Sequence, residues 1–223
     1  MSDRTEKTRR LVGLSIFTAL VVVLQVVATF VRIGAFPVTL TLVPIVVGAA
    51  IYGTKAGAWL GGVFGAVVAI ACITGADASG AILWNLNPIV TLLLCLVKGI
   101  AAGFFAGLVY NLISRKGGDS ALVVAGGPGG ETGRRDTVAV ACAAVVSPVA
   151  NTGIFCAGLY LFFNDTFNTW MSGWVETTGN AANPLLYIFL GLAGINFLIE
   201  LGINLVLSPV IKRIISARRK GVI

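Results

Sequence analysis

The sequence predicts an all-α membrane protein, a bundle of six transmembrane helices with its N- and C-termini in the cytoplasm. Three observations predict it. Hydrophobic residues make up 57% of the chain and charged residues only 11%, with a mean hydropathy of +0.95; soluble domains carry about 25% charged residues. Six long apolar runs cover most of the 223 residues. The Lys and Arg residues fall almost entirely in alternate gaps between those runs. A hydrocarbon core about 30 Å thick takes roughly 20 helical residues, and several runs reach that length.

The first run, 11–31, follows the basic cluster Arg4, Lys7, Arg9 and Arg10. It is too long for the apolar core of a signal peptide, and no small-residue cleavage site follows it, so it reads as a retained span. The second, 38–52, holds 15 residues, about 22 Å as a helix, and reads as a thin or partly buried span. A tight gap containing Lys55 leads to the third run, 56–74, and the fourth is 86–113. Residues 117–133, GGDSALVVAGGPGGETG, lack helical periodicity and read as a flexible cytoplasmic linker. A phosphate cradle needs a strand before such a stretch and a helix after it, and the chain has no Gly-Lys-Ser/Thr. The fifth run is 137–163, with Pro148 expected to kink it beside Asn151. The sixth is 185–215. One membrane domain over 1–223, with no soluble domain attached, is the expected organisation.

Six spans place 14 of the 16 basic residues on the cytoplasmic side. Arg32, Asp77, Asp165 and Glu176 fall on the opposite side, and Lys98 lies inside a span. Five or seven spans would scatter the charge across both faces. The net charge of +7 is therefore a matter of topology and of attraction to anionic headgroups in the lipid bilayer. No nucleic acid partner is implied, because basic residues are not interleaved with aromatics on a soluble surface.

Chemistry is sparse. The chain has no His, and Cys72, Cys95, Cys142 and Cys156 all fall within runs without metal-ligand spacing. They read as small apolar core residues, and neither a metal nor a cofactor is expected. No His-Glu-x-x-His, nucleophile elbow or acid cluster is present, so the chain does not read as an enzyme. An ATPase is excluded on motif grounds; uphill transport would draw on an ion gradient or on another subunit. In the third run Gly57, Gly61 and Gly65 recur every four residues, followed by Ala69. In the fourth, Gly99, Gly103 and Gly107 do the same, beside Ala102 and Ala106. Small residues at that spacing let helix backbones approach closely in lipid, so both stripes are expected to pack inside the bundle. A weaker stripe in the first run, Ser15 and Ala19 with Ala28 further along, is a candidate for facing a partner.

These residues resemble a family. The stretch 38–57, VTLTLVPIVVGAAIYGTKAG, is similar to the second-span signature of the substrate-binding S components of energy-coupling-factor (ECF) transporters. KAGAWLGGVFGAVVA at 55–69 continues the pattern. KGIAAGFFAGL at 98–108 and NFLIELGINLVLSPVI at 196–211 resemble the family's fourth and last spans. The resemblance implies a multi-pass subunit of a prokaryotic plasma membrane that binds a vitamin-type small molecule from outside. It also implies an ECF membrane subunit and two ATPase subunits as partners, with the S component toppling in the bilayer to release its cargo. A small-residue face on the first helix then meets the membrane subunit, which puts Ser15 and Ala19 at that contact; the family favours Ala at both.

The family's site lies in the outer half of the bundle. Polar or aromatic residues at that depth are Gln25, Trp84, Asn85, Asn87, Asn151, Tyr160 and Asn196, with Trp170 on the loop between the last two runs. Buried amides are costly in lipid unless paired, so they bridge helices or hold a ligand. Trp84, Trp170, Trp174 and Tyr187 also suit an interfacial aromatic belt. Lys98 and Glu200 lie deepest, roughly 18 and 22 Å from the outer edge at about 1.5 Å per residue. They form an ion pair with each other, or Lys98 holds an anionic group of the substrate; the sequence leaves both open. Thr39, Thr41 and Pro44 look most like the pantothenate type of S component, followed by riboflavin and folate types. A solitary secondary transporter is the alternative class, and it would need internal repeats or gradient-coupling acids that the chain does not display.

Overall fold

A computed structural model of the chain describes residues 3–30, 32–33, 36–37, 40–115, 131–192 and 194–219. Helix α1, Asp3–Phe30, leads through a two-residue antiparallel ribbon, Arg32–Ile33 with Phe36–Pro37, to α2, Leu42–Tyr52. Then come α3, Thr54–Thr74, α4, Ala78–Leu86, and α5, Pro88–Arg115. After the 116–130 stretch follow α6, Glu131–Phe162, and α7, Asn164–Thr178. The chain ends with a single turn α8, Pro184–Leu186, a wider π-helical turn Tyr187–Leu192, and α9, Gly194–Arg219.

Four of these helices are long and apolar enough to cross a membrane: Lys7–Phe30, Thr54–Thr74, Pro88–Ser114 and Arg135–Phe162. The bent pair Pro184–Leu192 and Phe197–Arg213 makes a fifth, and the short apolar α2 a sixth. The fold is thus the expected all-α bundle of membrane-spanning helices. At one end lie the start of α1, the α2–α3 turn, the end of α5, the start of α6 and the end of α9. At the other lie the ribbon, α4, α7 and α8. The positive-inside pattern makes the second end the outer one.

Close packing of α3 on α5 organises the bundle. A Cβ added at Gly61 would overlap the carbonyl of Gly99, and one added at Gly99 would overlap the carbonyl of Gly61. Gly57 and Gly103 oppose each other in the same way, and Gly65 meets the Cys95 carbonyl. Both glycine stripes are therefore used up inside the bundle, backbone against backbone, where lipid offers no hydrophobic drive. Around this seam Val21, Leu42, Ile45, Leu60, Phe64 and Ala102 form one core. Val46, Ala49, Tyr110, Ala139, Val140, Ala143 and Ile211 form a second, toward the cytoplasmic end. Leu83, Leu159, Phe163, Phe167 and Tyr187 form a third under α7.

Several sequence expectations change. The 86–113 run is two helices, because Asn87 ends α4 and Pro88 opens α5; proline disfavours helix at the residue before it. Asp77 caps α4, its Oδ1 accepting from the Gly80 N–H at 3.2 Å, after α3 stops at Gly75 with φ +76°. The fifth helix begins at Glu131, so 131–133 of the supposed linker are helical, and 116–130 lie outside the described residues. Pro148 sits within a helix that continues to Phe162. The sixth run is broken by the π-helical turn. Residues 164–178 form a helix, packed down through Phe167, Trp170, Met171 and Trp174. Trp174 and Tyr187 stack with ring centroids 5.6 Å apart, and Tyr187 is buried; Trp84 packs against the α3–α5 core. Trp84, Trp170 and Trp174 are half-buried, packing one side of each ring against the bundle.

Candidate functional site

One cavity opens between the helices, with about 900 Å³ of empty space, its mouth included. Helix α1 contributes Gln25 and Thr29, and α3 contributes Phe64, Val68 and Cys72. Asp77, Gly80 and Leu83 come from the turn and α4; Thr91, Leu94, Cys95 and Lys98 from α5. Helix α6 supplies Asn151, Thr152, Phe155 and Cys156, and the last span Leu192, Phe197 and Glu200. Every span but the short α2 contributes, mostly from its outer half. The walls are apolar and aromatic, with a few polar groups set among them.

The polar groups are held by the fold. Gln25 is buried, and its side-chain carbonyl accepts from the Thr41 hydroxyl at 2.8 Å. Thr41 is fixed because it opens α2 and is itself fully buried. Thr91 donates to the Asn87 carbonyl at 2.9 Å. The ammonium of Lys98 lies 4.6 Å from the centroid of the Phe155 ring, across the gap from α5 to α6. A cation over a ring face is held by the ring quadrupole, more strongly where water is excluded. Glu200 and Asn151 are both buried. The cavity thus presents one ammonium, two carboxylates and several amides and hydroxyls inside a low-dielectric bundle, an arrangement suited to binding. Among the described residues no group of three or more His, Cys, Asp or Glu is placed to hold a metal.

Of the residues singled out from sequence, the cavity brings together Gln25, Lys98, Asn151 and Glu200. Asn87 does not reach it: the side chain is exposed and accepts from the Val90 N–H at 3.2 Å, at the α4–α5 junction. Tyr160 is also exposed and packs edge-on against Phe167, 5.3 Å between centroids. Trp84 backs the α3–α5 core and does not line the cavity. Asn196 lies on α9, with its side chain outside the described residues. Among the lining residues not proposed for the site from sequence are Asp77, Thr91, Phe155 and two cysteines read as core residues, Cys72 and Cys95. Asp77 read as an outer-loop charge, yet it is buried. All four cysteines are free thiols.

On α1, Ser15 and Ala19 both point outward, within an apolar face that exposes Leu11, Ile16, Leu20, Val23 and Val27. The Ser15 hydroxyl donates to the Leu11 carbonyl at 3.0 Å, so its polarity is absorbed by its own helix. Ala28 is buried and belongs to a different face.

Compared with known families, residues 9–212 match the family described as ECF transporter, substrate-specific component. The chain belongs to this family. The match takes in every membrane-spanning helix and all the cavity residues. The chain is accordingly a multi-pass membrane transport subunit that captures a substrate for import, and not an enzyme. No curated protein matches the chain.

Proposed function

We propose that this S component captures a vitamin or related micronutrient in the outer-half cavity and delivers it inward with a module of one ECF membrane subunit and two ATPase subunits. Pantothenate is the first choice of substrate, then riboflavin or folate. The observation that carries the reading is Lys98. It is the one basic side chain among the described residues of the cavity wall, and it is steadied by Phe155. A positive group in a mostly apolar chamber recognises an anionic group, and pantothenate carries a carboxylate. Gln25, its carbonyl taken by Thr41, turns donors toward the same ligand, and Asn151 borders it. Ser15 and Ala19 supply the small outward step on α1 against which a partner helix packs.

Calorimetric titration of the purified chain with pantothenate, riboflavin and folate tests this. Tight binding of pantothenate is expected, weakened at least tenfold by Lys98→Met. Binding of its alcohol analogue, which lacks the carboxylate, is expected to change little. A folded protein that binds none of the three, or a Lys98→Met variant that binds pantothenate unchanged, would overturn the reading.

A further inference from the structure

Asp77 is a carboxylate of the cavity wall to which the proposed function gives no task. It is 7% exposed and lines the cavity from the turn between α3 and α4. A carboxylate inside an apolar bundle is costly unless it is hydrogen-bonded or paired. Part of that cost is met locally. Its Oδ1 accepts from the Gly80 N–H at 3.2 Å, and the N-terminus of α4 stabilises the negative charge. Its Oδ2 takes no part in this cap.

The seat of the carboxylate is fixed. The Asp77 N–H donates to the Ala71 carbonyl at 3.0 Å, which folds the turn back on the end of α3. A Cβ added at Gly80 would overlap Cys72 Sγ and come within 2.9 Å of Asp77 Oδ2. The side chain is therefore held against bare helix backbone, and glycine is what leaves room for it.

The glycine seam gives its distance from Lys98. Gly61 opposes Gly99, which sets Lys98 level with about position 62 of α3. Ala71 stands roughly nine residues further out, about 14 Å along the helix. A lysine stem leans toward the N-terminus of its helix, which on α5 is the outer end. The ammonium and the Asp77 carboxylate are thus on the order of 10 Å apart. Val68 of α3 and Leu94 of α5 fall at levels between them and line the same cavity. The chamber holds an ammonium well inside, an apolar waist, and a carboxylate near its outer end.

We infer that Asp77 is a ligand contact: its carboxylate accepts from hydroxyl groups at the end of the ligand away from the anion, so that the ligand lies with its anionic end innermost. The inference rests on the proposed function and sharpens it. A charged acceptor makes the stronger class of hydrogen bond, and more so where water is excluded. Among anionic ligands it favours those with hydroxyl donors at the far end, as in pantothenate, whose hydroxyls lie away from its carboxylate.

Calorimetry with three probes tests it: pantothenate, the analogue with both hydroxyls replaced by hydrogen, and the alcohol analogue that lacks the carboxylate. Asp77→Asn and Asp77→Ser each keep an oxygen that can cap α4. Asp77→Asn should weaken pantothenate roughly tenfold or more. The alcohol analogue, which keeps the hydroxyls, should be weakened as much. The analogue without hydroxyls should stay within about twofold of its wild-type affinity. If Asp77→Asn does not fold, Asp77→Ser carries the same comparison. Equal losses for pantothenate and the analogue without hydroxyls would overturn the inference and leave the proposed function standing, with Asp77 a helix cap. So would pantothenate binding that neither variant weakens. A folded wild-type protein that binds none of the three probes would overturn the proposed function and the inference with it.

Discussion

The Thr41 hydroxyl donates to the side-chain carbonyl of Gln25 at 2.8 Å, in a buried contact that ties the start of α2 to the outer part of α1. It links the family-like lead-in of the second span directly to the cavity wall. Gln25 lines the cavity, and its rotamer is set by a residue that does not.

Thr41→Val removes the donor and leaves the Gln25 carbonyl buried and unmet. A loss of about 1–3 kcal/mol is expected, seen as a lower thermal midpoint, together with weaker substrate binding. Thr41→Ser should retain both. A Thr41→Val protein with wild-type melting and affinity would show that the bond does not position Gln25.

The α3–α5 seam separates two glycines of similar helix propensity. Gly61→Ala puts a methyl into the Gly99 carbonyl, and backbone cannot yield as a side-chain tip does. A cost of about 1–3 kcal/mol or more is expected from overpacking. Gly153 has nothing within 4 Å of an added Cβ. Gly153→Ala should therefore be neutral, or stabilising by up to about 1 kcal/mol through reduced backbone entropy. Thermal melts of the two variants in detergent decide; equal destabilisation would contradict the packing account.

Lys98 and Glu200 line one cavity, and on the proposed function Lys98 meets an anionic group of the ligand, not Glu200. Their substitutions should then add. Lys98→Met and Glu200→Gln are expected to lower stability independently, with a coupling within about 0.5 kcal/mol. A double variant more stable than the worse single would reveal a direct ion pair, because removing both partners relieves an uncompensated buried charge.

Much of the fold was legible because lipid imposes few solutions. Run length and charge alternation predicted the spans and the topology, and glycine spacing predicted that both stripes pack inside the bundle. The site was only half legible. Depth along a helix can be read from sequence, which is how Gln25, Lys98, Asn151 and Glu200, all on the cavity wall, were picked out as candidates. Facing cannot be read where a helix is apolar all round, and so Tyr160 was assigned to a cavity it does not reach. Asn87 faces away from the cavity because the 86–113 run hides a break; the Asn87-Pro88 pair was the signal available. Asp77 was passed over as a loop charge, although an Asp just before a helix start is a common N-cap. Helix α7 was detectable from Phe167, Trp170, Met171 and Trp174, spaced at one face of a helix.

The outward face of α1 carries the partner assignment. Ser15→Leu or Ala19→Leu should block close approach of a partner helix. Co-purification of the ECF membrane subunit is expected to fail, while ligand affinity stays within about twofold, since neither residue lines the cavity. Intact complex formation with collapsed affinity would make the stripe a matter of internal packing.

Uptake into proteoliposomes tests the central claim most directly. The chain is reconstituted alone, and then with the ECF membrane subunit and the two ATPase subunits, with ATP inside and labelled pantothenate, riboflavin or folate outside. Substrate should bind to the chain alone without accumulating, and should accumulate against its gradient only when the module and ATP are both present. Accumulation by the chain alone, driven by a proton or sodium gradient, would contradict the account and make the protein a secondary transporter.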